Sequence, residues 1–123
     1  RGATSYLFGG IVDRAGRART FQGDDVTMNA LRYWTSPRTG ARYPLAWDIT
    51  IRPAGEPPLR LKLSAALSDQ ELDTERSTRV AYWEGCVTGK EEERDPDQDV
   101  EGYMELTGYA GGGVPGRVTN MGR

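Results

Sequence analysis

Histidine is absent from the 123 residues, which removes every Ser-His, Cys-His and His-metal chemistry from this polypeptide at once. Cysteine is nearly absent. Cys86 stands alone, so neither an internal disulfide nor a thiolate zinc cluster can form, the redox compartment is left undetermined, and no metal or cofactor is expected. A basic surplus is missing too: 16 Lys and Arg face 18 Asp and Glu, a balance that cannot neutralise a phosphate backbone, so nucleic acid is not an expected partner. No apolar run approaches the roughly 20 residues of a membrane-spanning helix, and no Gly-rich phosphate loop with its Lys and Ser or Thr is present. Leu, Ile, Val and Phe together supply only 21 residues, scarce enough to suggest disorder. Three Trp, six Tyr and a net charge of -2 argue the other way, because disordered chains combine few aromatics with high net charge.

What is present alternates with period two. Apolar residues recur at every second position, and Gly, Pro and Asp clusters separate the runs, which is a β pattern. Strands are expected over residues 5–12, 17–21, 25–34, 43–52, 59–64, 80–88 and 100–109. The clearest is the fourth: Tyr43, Leu45, Trp47, Ile49 and Ile51 share one face, and Asp48, Thr50 and Arg52 share the other. Residues 68–73 read as one helical turn, with Ser68 as cap and Glu71 three residues on. Between Lys90 and Glu101 there are seven acids and two bases, a local charge of -5, which reads as a solvated loop because a core could not hold it. Residues 110–123, with five glycines, read as a flexible tail. The fold class expected is all-β, an antiparallel meander forming an incomplete lipocalin-like β-barrel over residues 1–109. A closed barrel of this kind needs about eight strands; seven strands and an initial Arg1 lead to the expectation that the first strands are encoded upstream.

Carboxylates among phenols are the most informative feature. Alternation puts Tyr82, Glu84 and Cys86 on one face of the sixth strand, and Tyr103, Glu105, Thr107 and Tyr109 on one face of the seventh. If these faces coincide and point inward, partial desolvation raises a Glu towards the pKa that a general acid needs. If they point outward, the glutamates are solvated or pair with Arg60 or Arg79. The charged loop does not set the register, so both arrangements stand. Trp34, Tyr43 and Trp47 form either a ligand wall or a plug for one barrel end. Cys86, between Gly85 and Val87, reads as a small buried hydrophobe. Asp95, Asp97 and Asp99 imitate the start of a calcium loop, but Val100 and Leu106 stand where Gly and Glu are needed.

The ordered series Trp34, Thr35, Ser36, Thr39, Gly40, Tyr43, Pro44, Trp47, then Asp69, Gln70, Glu71, Leu72, then YWEG at 82–85 and GYMELTGY at 102–109 resembles the C-terminal lipocalin-like domain of the carotenoid 1,2-hydratase, or AttH-type, family. The resemblance implies a tandem of two lipocalin-like barrels, with an upstream lipocalin-like domain of the same protein as partner, and an apolar small molecule of isoprenoid or polyene type as ligand. It implies acid-catalysed addition of water to a C=C bond, or its isomerisation. The alternatives are a non-catalytic binding module and a structural half of a two-barrel protein. Within this chain the expected acid or polar anchor is Glu84, then Glu105, with Tyr82, Trp83, Tyr103, Trp34 and Trp47 as pocket residues. The family's own proposed acids fall in strands that precede Arg1. In bacteria the resemblance also implies an exported or periplasmic protein, although this chain carries no leader peptide.

Overall fold

The computed structural model describes residues 6–74 and 80–110. Among the described residues eight strands follow one another: β1 (Phe8–Val12), β2 (Ala18–Gln22), β3 (Val26–Thr35), β4 (Arg42–Ile51), β5 (Leu59–Ala65), β6 (Glu71–Asp73), β7 (Ala81–Glu91) and β8 (Asp99–Leu106), with a single 3-10 turn at Gly23–Asp25. All pairings are antiparallel. The described residues are all-β and their sheet does not close, as expected of an incomplete lipocalin-like barrel.

Local chemistry sets the turns. In the β1–β2 hairpin, which pairs on its own, Asp13 accepts the amides of Ala15 and Arg17 through one carboxylate oxygen, both at 2.9 Å, and Gly16 takes a positive φ of 82° that an L side chain resists. Between β3 and β4, the Ser36 amide donates to the Ala41 carbonyl and the Gly40 amide to the Ser36 carbonyl, again with a positive φ at the glycine.

The main sheet runs β3-β4-β5-β7. β5 pairs with residues 87–91 of β7 and β6 with residues 81–83, while β8 spans residues 83–90. β5 and β6 therefore lie end to end along one edge of β7, with β8 along the other. One face of this sheet carries the buried cluster of Tyr43, Leu45, Trp47, Trp83, Val87, Met104 and Leu106. Three inter-strand steps separate β4 from β8, about 14 Å in a flat sheet. Yet the ring of Tyr109, just past β8, stands 5.7 Å from that of Tyr43. The sheet curls, with the cluster on its inner face.

Three local expectations are corrected. Residues 71–73 form strand β6 rather than the end of a helical turn, because Glu71 pairs with Trp83 and its carboxylate is claimed by side chains from β4 and its preceding turn. The acidic stretch is not loop throughout. β7 takes in Glu91 and β8 begins at Asp99, and Glu91 is buried: its carboxylate accepts the amides of Glu93, Arg94, Asp95 and Arg60, which supplies what burial would otherwise cost. Cys86 is exposed rather than buried, since odd-numbered β7 residues face inward. Arg60 pairs with Asp48 and Glu92; Arg79 and the tail beyond residue 110 lie outside the described residues.

Candidate functional site

A carboxylate enclosed at one end of the curled sheet organises the inner face. Glu71 is placed there by its strand pairing with Trp83, and its side chain is fully shielded from solvent. Three hydroxyls converge on it: Ser36 Oγ at 2.5 Å, Thr39 Oγ1 at 2.7 Å and Tyr43 OH at 2.7 Å. Arg38 adds its charge at 3.5 Å while its guanidinium grips Asp69 and the Glu71 carbonyl. Ser36 is itself oriented, because its Oγ accepts the amides of Arg38 and Thr39.

Burial alone would raise the pKa of Glu71, but the three hydroxyl donors and Arg38 outweigh it and hold the carboxyl below its ordinary value. Tyr43 moves the opposite way: burial first, then donation to Glu71, push its phenol up. The pair is thus carboxylate and phenol near neutral pH. Geometrically the pair is a clamp, the phenol donating to the carboxylate at 2.7 Å.

The clamp fixes an aromatic stack. Trp34 lies against Tyr43 with centroids 6.2 Å apart and planes 19° apart, and the Tyr109 ring meets Tyr43 at 5.7 Å, tilted by 46°. Trp47 and Trp83 are buried beside it, each with its indole N–H satisfied by a carbonyl, of Pro44 and Ser68 respectively. Away from this end the inner face continues through Met28, Ala30, Ile49, Leu63 and Ala65, which are only partly covered.

Of the residues singled out in the sequence, Trp34, Trp47 and Trp83 come together on the inner face. Glu84 and Glu105 are also brought together, directly opposite each other across β7 and β8, with Cys86 opposite Tyr103. That set lies on the outer face, reverse to Trp83, Val87, Met104 and Leu106, and Tyr103 is 64% exposed. The phenol of Tyr103 is nonetheless raised, by partial desolvation and then by the neighbouring Glu84 carboxylate. Sequence reasoning missed Glu71 as a site residue, having assigned it to a helix cap. The signal was in the motif series, where Ser36, Thr39, Tyr43 and Glu71 all occur. Among the described residues no group of three or more His, Cys, Asp or Glu could hold a metal ion, and no helix is long and apolar enough to cross a membrane.

An open, curled antiparallel sheet with an aromatic inner face is a lipocalin-like architecture. The AttH-like family model matches residues 1–109, and the chain belongs to that family. It is similar over 85% of its length, at 34% identity and a TM-score of 0.72, to the crystal structure of an AttH candidate from Nitrosomonas europaea. The chain spans 30% of that protein. Among curated proteins, no sequence matches it.

Proposed function

We propose that this segment supplies part of the wall of a lipocalin-like chamber for an apolar small molecule of isoprenoid or polyene type, the remaining wall coming from an upstream lipocalin-like domain of the same protein. The observation that carries this reading is the inner face itself. From Trp34 to Met28 and across to Ile49 and Leu63 it offers partly covered apolar surface, and Glu71, the carboxylate enclosed at its aromatic end, is saturated by donors. A long nonpolar ligand laid there meets no unpaired charge and removes apolar area from water at about 25 cal/mol per Å². Retinol, a neutral fluorescent polyene, tests it: the full-length protein should bind retinol with saturable enhancement of its fluorescence, and no saturable binding refutes the reading.

Acid-catalysed hydration is the second reading, favoured by aromatic rings that can face a developing cation. An acid would protonate one alkene carbon, water would attack the resulting tertiary cation, and the oxonium would return the proton, a net gain of one water. Glu84 is the first candidate acid in this chain and Glu105 the second, with Tyr82 and Tyr103 beside them. On the outer face they would act on a ligand, or meet a second protein surface, laid against β7 and β8 from that side. Incubation of the full-length protein with lycopene separates the readings, since a binder returns it unaltered and a hydratase adds the mass of water. If hydration occurs, Glu84→Gln should lower turnover at least tenfold; unchanged turnover would remove Glu84 from the mechanism.

A further inference from the structure

Among the described residues Glu71 is the one fully enclosed carboxylate at the aromatic end of the inner face. Three hydroxyls donate to it, an arrangement that suits the ionised form, which only accepts. Two of those donors, Ser36 and Thr39, belong to the β3–β4 turn. The third, Tyr43, belongs to the inner face, where its buried ring contacts both Trp34 and Tyr109. Tyr43 itself is fully buried, whereas Trp34 is only partly so and presents surface that a ligand can cover. The physical chain runs from the Glu71 carboxylate to the Tyr43 hydroxyl, from that hydroxyl to the ring, and from the ring to the plane of Trp34.

We propose that Glu71 is a positioning residue for ligand binding: by gripping the Tyr43 hydroxyl it sets the Tyr43 ring and thereby the orientation of Trp34 as a ligand-facing surface. The inference rests on the apolar-ligand reading above. A flat polyene gains from an indole face only when that face is presented at the right angle, and a freed Tyr43 ring lets the stack tilt. Preorganisation of this kind raises affinity by sparing the ordering that binding would otherwise require.

The test is a double-mutant cycle in the full-length protein with two readouts, retinol affinity and the urea unfolding midpoint. Glu71→Gln and Tyr43→Phe should each weaken retinol binding about tenfold, the scale of one hydrogen bond to a charged group, and the double variant should bind no worse than the weaker single variant because both act through one hydroxyl. Glu91→Ala removes the buried carboxylate at the opposite end of β7 and serves as the comparison, lowering the urea midpoint while leaving retinol affinity within about twofold. Should Glu71→Gln fail to fold, Tyr43→Phe against Glu91→Ala carries the same comparison. Affinity that merely follows the midpoint in all variants, or that stays within twofold in Tyr43→Phe, overturns the positioning role. Failure of the unaltered protein to bind retinol overturns the ligand reading and this inference with it.

Discussion

Replacing Glu91 by alanine removes the acceptor for three consecutive loop amides, those of Glu93 at 2.9 Å, Arg94 at 2.6 Å and Asp95 at 2.8 Å, and for the Arg60 amide at 3.3 Å. Hydrogen bonds to a charged group are worth about 1.5–3 kcal/mol each when a buried partner is stranded. Here the three loop amides border solvent and regain water, so the scale of a helix cap, about 0.5–2 kcal/mol, applies to them as a group. With the Arg60 amide added, we expect a loss of about 2–3 kcal/mol, read as a lower urea midpoint at unchanged slope, together with faster amide exchange at residues 93–95. Formate should restore part of the loss by entering the vacated nest of amides. The pH dependence has a definite sign. Burial raises the Glu91 pKa, but the amides of Asp95, Glu93, Arg94 and Arg60 outweigh it and hold the carboxyl below the ordinary 4.5. Its stabilisation is therefore full above the unfolded value and is lost as pH falls through the folded one, so protein and variant should converge in acid. A loss under 0.5 kcal/mol at neutral pH, or a gap that persists below the folded pKa, would refute the reasoning.

Two further outcomes follow from close packing and exposure. At Gly89 an added Cβ would lie 1.8 Å from the Lys62 carbonyl oxygen, a backbone atom that cannot yield, so Gly89→Ala should cost about 3 kcal/mol or more and lower the thermal midpoint markedly. Cys86 is exposed: it should react fully with a maleimide in the absence of denaturant, and Cys86→Ser should change stability by less than about 0.5 kcal/mol.

Much of the architecture was legible because period-two alternation reports burial directly. Tyr43, Leu45, Trp47, Ile49 and Ile51 read as one face, and that face is inner. The misreadings arose where a long-range partner overrides local preference. Ser68 and Glu71 carry the spacing of a capping box, but nothing local reveals that Ser36, Thr39 and Tyr43, about 30 residues earlier, will claim the carboxylate. Glu91 misled for the opposite reason: a charge in a charged run looks solvated until four backbone amides are folded around it. Register was the other gap. Glu84 and Glu105 do share a face, but which face that is depends on the inward anchoring of Trp83 and Leu106, and alternation alone is symmetric between the two choices.

Among the described residues β3 is paired only with β4, and β8 only with β7. Each of these long strands thus leaves a row of amide and carbonyl groups ready to template another chain. Produced by itself, the chain of these 123 residues should self-associate edge to edge in a concentration-dependent way, and solubility, rather than loss of the aromatic interior, will limit work on it.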